Sequence, residues 1–155
     1  MKIKTAIISL IFLLLIWIAP AFIFIRLNEV FGLPRFEVRP LKITGLIVVI
    51  SVLCMDIYIF LLFKIYSKGT PVPVEPSKKL VIVGPYKWTR NPMYLGHLAV
   101  YLSFFMYFGH ISLLFLFVIA FMLLHTLVTK WEEPGLKARL GKKYIEYTHK
   151  VPRWI

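Results

Sequence analysis

Cysteine is nearly missing from this chain. Cys54 stands alone inside an apolar run, which excludes an intramolecular disulfide and a cysteine-based metal cluster. Histidine is scarce as well, and four scattered copies with no metal-ligand spacing argue against a zinc site. There is no internal repeat, no low-complexity tract and no stretch that reads as a soluble domain. Acidic side chains number 7 against 19 lysines and arginines, a formal charge of +12. In a soluble protein that balance would suggest nucleic acid. Here the cations gather between apolar runs, where they are ordinary anchors of a membrane protein, so no nucleic-acid partner is expected.

Apolar residues fill the space these absences leave. The 155 residues are 59% hydrophobic and 16% aromatic, and the mean hydropathy is +0.79. No soluble domain of this length needs so much apolar surface, so the membrane is the solvent to reason about. Four apolar segments can be drawn, from about Ala6 to Ile25, Ile43 to Phe63, Met93 to Phe108 and Ile111 to Val128. A span needs roughly 20 helical residues, with about 17 as the lower limit. The first two qualify easily. The last two are short and meet at Gly109-His110, which predicts a tight helical hairpin. The opening residues, with Lys2, Lys4 and Ala19-Pro20-Ala21, resemble a signal peptide, but the apolar run continues through Ile25 and suits an uncleaved anchor better.

The cations give an orientation. Most of the 19 lie in three places: Lys2 and Lys4, the second connection from Lys64 to Arg90, and the tail from Lys130 to Arg153. A four-span topology puts all three on one side, and the positive-inside rule makes that side the cytoplasm. The organisation expected is therefore a single membrane domain: two spans over 1–63, a cytoplasmic loop over 64–92, a helical hairpin over 93–128 and a cytoplasmic tail over 129–155. In the tail, Leu136, Leu140, Tyr144, Tyr147 and Val151 recur on one helix face among lysines and arginines. This predicts one basic amphipathic helix lying in the headgroup region.

Two polar clusters fall on that same side. One is Gly84-Pro85-Tyr86-Lys87-Trp88-Thr89-Arg90-Asn91-Pro92-Met93-Tyr94, and the other is Lys130-Trp131-Glu132-Glu133-Pro134. Each has a structural explanation. Asn91-Pro92 suits a helix start, Tyr94 suits an aromatic belt, and the acidic pair suits the first turn of a tail helix. Each also suits a ligand, because a helix start exposes free N–H groups to an anion and carboxylates can hold ribose hydroxyls or a cation. Within the apolar segments, His97 and Asp56 are ionisable groups that need a partner, and Asp56 is expected to face the bundle interior, either protonated or paired.

Taken in order, these residues resemble the isoprenylcysteine carboxyl methyltransferase and phospholipid methyltransferase family of integral membrane enzymes. The family pattern is Gly-x-Tyr, Arg-His-Pro-x-Tyr, a helical hairpin, an acidic pair, and a tail ending Tyr-x-x-Tyr-x-x-x-Val-Pro. This chain reads Gly84-Pro85-Tyr86, Arg90-Asn91-Pro92-Met93-Tyr94, Glu132-Glu133, and Tyr144, Tyr147 and Val151-Pro152. The likeness covers about residues 78 to 155. It implies S-adenosylmethionine as methyl donor, with Leu80, Val81, Tyr86, Asn91, Pro92, Met93 and Tyr94 lining the cofactor pocket and Glu132 completing it. Asn91 stands where many relatives have histidine, so no proton transfer is assigned to it. Val128 stands where relatives acting on prenylated cysteine carry an arginine, which speaks against a carboxylate acceptor, although Lys130 can substitute.

The expectation is an all-α membrane protein of about four transmembrane helices plus a C-terminal amphipathic helix, multi-pass in the cytoplasmic membrane, with both termini and the site cytoplasmic. Its expected activity is S-adenosylmethionine-dependent methyl transfer to a lipophilic acceptor: a lipid amine, a lipophilic small molecule or an isoprenylcysteine-type carboxylate. Glu133 is the candidate base and Arg90 its companion in catalysis. Lys130 and His97 are candidate substrate contacts. The partners expected are this acceptor and membrane lipids, with no metal. An NADPH-dependent sterol-type reductase and a non-catalytic small transporter or subunit are the competing readings. The sequence leaves the oligomeric state open.

Overall fold

The structure is a computed structural model that describes residues 3–67 and 79–155, with side chains in the first helix from residue 15 onward. Lys2, Lys68 and Lys78, which the orientation argument uses, lie outside the described residues. Within them the chain is helical, and its only β pairing is one isolated bridge between Arg35 and His110.

Among the described residues six α-helices follow one another: α1 (Ile3–Val30), α2 (Arg39–Tyr66), α3 (Pro92–Phe108), α4 (Ser112–Leu127), α5 (Glu133–Leu140) and α6 (Lys142–Lys150). Among the described residues, two helical stretches are long and apolar enough to cross a membrane, Arg39–Tyr66 and Ser112–Leu140. At 1.5 Å per residue, the 28 residues of α2 reach about 42 Å, beyond a hydrocarbon core of roughly 30 Å. The 17 residues of α3 reach only about 26 Å. The outer face of α2 is apolar, with Ile47, Ile50, Ile57 and Leu61 all exposed, as lipid contact requires.

Two expectations are corrected here. The acidic pair does not open a separate tail helix. The chain runs on from α4 through a π turn at Val128–Glu132 directly into α5. Pro134 accounts for the widening: it has no N–H to give the carbonyl of Lys130 and its ring would clash there, so the helix opens by one residue. The tail itself is not one amphipathic helix. Gly141, at φ 59° and ψ −140°, breaks it into α5 and α6 in a conformation only glycine adopts readily. The predicted apolar face survives the break, because Tyr144, Tyr147 and Val151 still form one buried cluster with Leu80, Leu136 and Leu140.

The chain divides into two compact units, Met1–Val52 with His97–Ala120, and Leu53–Gly96 with Phe121–Ile155. In the first, Trp17, Val52 and Val100 form one core cluster, and Ala21, Tyr101, Leu113 and Leu116 another. The Tyr101 hydroxyl donates to the Ile16 carbonyl at 2.7 Å. The predicted hairpin turn is present, with Gly109 at φ 74° and its position so close to the Phe36 backbone that no side chain would fit. Phe36 N–H donates to the Gly109 carbonyl at 2.9 Å. Asn28 is buried and bridges this turn. It donates to the Leu33 carbonyl at 2.8 Å and accepts from Ser112 N–H at 3.0 Å.

In the second unit, Ile59, Phe63 and Val81 are buried together, with Met55, Val83, Tyr86 and Met93 packed on them. A 3-10 turn, Gly84–Lys87, carries the Gly-Pro-Tyr motif. Gly84 sits at φ 57°, and a β-carbon there would lie 2.8 Å from the Leu62 side chain and 2.9 Å from the Tyr58 hydroxyl. Glycine therefore lets the loop lie directly on α2.

Candidate functional site

The loop before α3 and the end of the α4–α5 rod meet within the second unit. Tyr94, in the first turn of α3, donates its hydroxyl to Glu132 Oε2 at 2.8 Å across 38 positions of sequence. One residue further, the buried Glu133 accepts from three directions. Arg90 Nη1 lies 3.0 Å from its Oε1, and Arg153 makes a two-pronged contact, Nε to Oε1 at 2.8 Å and Nη2 to Oε2 at 2.9 Å. A planar guanidinium is shaped for such a paired contact with a carboxylate. The two polar clusters of the sequence touch.

A backbone strap reinforces the ion pairs. Arg90 N–H donates to the Pro152 carbonyl at 3.0 Å. The Arg153 carbonyl accepts from Thr89 Oγ1 at 3.1 Å and from Asn91 Nδ2 at 2.9 Å. The Tyr147 hydroxyl donates to the Tyr86 carbonyl at 2.7 Å. Residues 86–91 are thus held by α6 and the segment after it. Arg153 and Thr89 are the members that sequence reasoning passed over. Arg153 counted only as one tail cation among many, yet its place directly after Val151-Pro152 was the available signal.

The candidate residues divide as follows. Val81, Tyr86 and Met93 pack in the cluster on α2, with the Tyr86 ring 5.5 Å from that of Phe63. Leu80 points the other way, into the Tyr144–Tyr147–Val151 cluster. Asn91 and Pro92 are buried, and the Asn91 amide is committed to the strap. Glu133, expected as a base, has both oxygens engaged by guanidiniums, and Arg90 is one of its two partners. Lys130 is exposed. His97 belongs to the first unit, where it packs edge-on against Trp17 with ring centroids 5.5 Å apart.

Electrostatics favour neutral phenols at this site. Burial pushes the Tyr86 hydroxyl well above its ordinary pKa, and the neighbouring Tyr147, Glu132, Tyr94 and Asp56 push it the same way. Burial raises Tyr147 too, with Tyr144 adding to the effect. Tyr86, Tyr94 and Tyr147 bring electron-rich faces and Glu132 brings a carboxylate. In a protein of charge +12, that is a local environment for a cation rather than an anion.

A family profile described as phospholipid methyltransferase matches residues 41–143, more than half of the chain. The chain belongs to this family, and with it to the membrane methyltransferases in general. The match runs from α2 into α6 and contains Tyr86, Arg90, Asn91, Tyr94, Glu132 and Glu133. Comparison with curated proteins and with solved structures returns no significant match.

Proposed function

We propose that the second unit binds S-adenosylmethionine and transfers its methyl group to a lipophilic acceptor carried in the membrane. The observation that carries this reading is the Tyr94–Glu132 hydrogen bond of 2.8 Å. It joins the start of α3 to the π turn and places a carboxylate among aromatic rings, which suits a positively charged donor. Its neighbours Val81, Tyr86, Asn91, Pro92 and Met93 supply the remaining wall, and Leu80 holds the loop to α6.

When bound, S-adenosylmethionine supplies a methyl group already activated on sulfur. The protein's task is then alignment, holding the acceptor atom and the methyl carbon about 3–3.5 Å apart and in line. Arg90, Glu133 and Arg153 are positioning residues in this scheme: they fix the helix start on which Tyr94 stands. The positive-inside distribution of cations supports a site on the cytoplasmic side, where a water-soluble donor and a membrane-borne acceptor can meet. Four spans would bring both termini to that side.

Calorimetry on the purified protein in detergent tests the reading. S-adenosylmethionine and its demethylated product should both bind, and Tyr94→Ala or Glu132→Ala should abolish that binding. Binding of NADPH in their place would overturn the proposal in favour of a reductase. Retained methyl-donor binding in both alanine variants would move the site elsewhere.

A further inference from the structure

A third carboxylate faces this cluster, and among the described residues it finds no partner. Asp56 on α2 is 7% exposed, and neither of its oxygens has a hydrogen-bond partner among the described residues. The contrast with the acidic pair is direct, since Glu132 has the Tyr94 hydroxyl and Glu133 two guanidiniums. An unpaired charge in the middle of a membrane helix is expensive to keep. Intramembrane carboxylates that persist under such a cost face a partner.

The direction Asp56 faces is fixed by its neighbours. Asp56, Ile59 and Phe63 follow at spacings of three and four, one face of α2. Ile59 and Phe63 are buried against Val81, with Tyr86 and Met93 alongside. Ile57 and Leu61, on the other side, are exposed. Asp56 therefore lies on the face that receives the Gly-Pro-Tyr loop, close enough for its charge to act on the Tyr86 phenol. All of these residues belong to the second unit.

We propose that Asp56 is the counter-ion and proton acceptor for an ammonium group on the acceptor. This assignment rests on the methyltransferase reading above and narrows the acceptor to a membrane-borne amine. A carboxylate acceptor would instead set like charges against each other at Asp56 and Glu132. The step balances with the groups named. The ammonium gives one proton to the Asp56 carboxylate and becomes a neutral amine, whose freed lone pair takes the methyl group. As the N–C bond forms, the C–S bond breaks and its electron pair stays on sulfur. The methylated nitrogen carries the positive charge the sulfur has lost, and Asp56 returns its proton to water before the next turnover. Tyr86 and Tyr94 offer ring faces to the cation throughout.

The test uses the full chain in lipid nanodiscs with labelled S-adenosylmethionine and two probes, phosphatidylethanolamine as the amine and N-acetyl-S-farnesylcysteine as the carboxylate. The wild type should methylate the amine. Asp56→Asn should lower kcat/KM for it by about 100-fold or more while donor affinity stays within about threefold. Its melting temperature should not fall, since a neutral amide replaces an unpaired charge, and Asp56→Glu should restore part of the activity. Unchanged amine turnover in Asp56→Asn overturns the proposal. So does a loss confined to donor affinity, which would assign the carboxylate to the sulfonium. An unstable Asp56→Asn would assign it to packing and has the same consequence, as does a wild type that methylates only the carboxylate probe. That last result leaves the methyltransferase reading standing. A wild type that binds no donor and modifies neither probe removes the reading itself.

Discussion

The two units are closed by different chemistry. In the first, the buried fastenings of the hairpin turn are neutral, namely backbone pairing at Phe36 and Gly109 and the Asn28 amide spanning Leu33 and Ser112, while an exposed Arg35 guanidinium donates to the Phe108 carbonyl at 3.2 Å. In the second, the start of α3 is fastened by a buried carboxylate shared between two guanidiniums, together with a strap of carbonyl acceptors. Neutral fastenings suit a part that only has to hold its shape. A charged fastening is costlier to bury and stricter in geometry, which suits the part that carries Tyr94 and Glu132. The charged fastening lies in the unit to which the proposed function assigns the ligand.

The largest effect that can break this comparison is expected from Glu133→Ala. It strands Arg90 and Arg153 without their common partner, and the loss should be about 3–5 kcal/mol in a thermal unfolding series. Replacing all three residues together with leucine and methionine should recover much of that stability but not donor binding, because the geometry is then unconstrained. Recovery of both would show the ion pairs to be mere filling. Next in size is Asn28→Ala in the first unit, which leaves a buried N–H and a carbonyl unmatched. About 1–3 kcal/mol is expected, with donor affinity measured by calorimetry unchanged; a loss of affinity there would erase the division of labour. The smallest effect belongs to Lys130→Ala. Its exposed side chain should matter by less than about 0.5 kcal/mol, and turnover should be normal. A strong activity defect would return Lys130 to the substrate contacts.

Much of this was legible in the sequence, for identifiable reasons. Apolar length and period announce α1 to α4, and Gly109 announces their last turn, because both signals are local. The motif residues stand out for the same reason: Tyr94 and Glu132 are polar groups at the edges of apolar runs. The tail was misread where local and periodic signals compete. Leu136, Leu140, Tyr144 and Tyr147 keep helical phase across Gly141, so periodicity alone cannot see the break. The π turn hides likewise, since only Pro134 betrays it. Arg153 escaped because its role is set by a contact 20 positions away with a residue that already looked like a candidate base.

The strap has a consequence for how the protein is made. Asn91 is held by a carbonyl 62 residues later in the chain. At a synthesis rate of about 5–20 residues per second, that partner emerges roughly 3–12 s after it. Until then Thr89, Arg90 and Asn91 lack the groups that fasten them. A newborn chain therefore passes through an interval in which the start of α3 exists without its strap. The translation of residues 152 and 153 ends that interval.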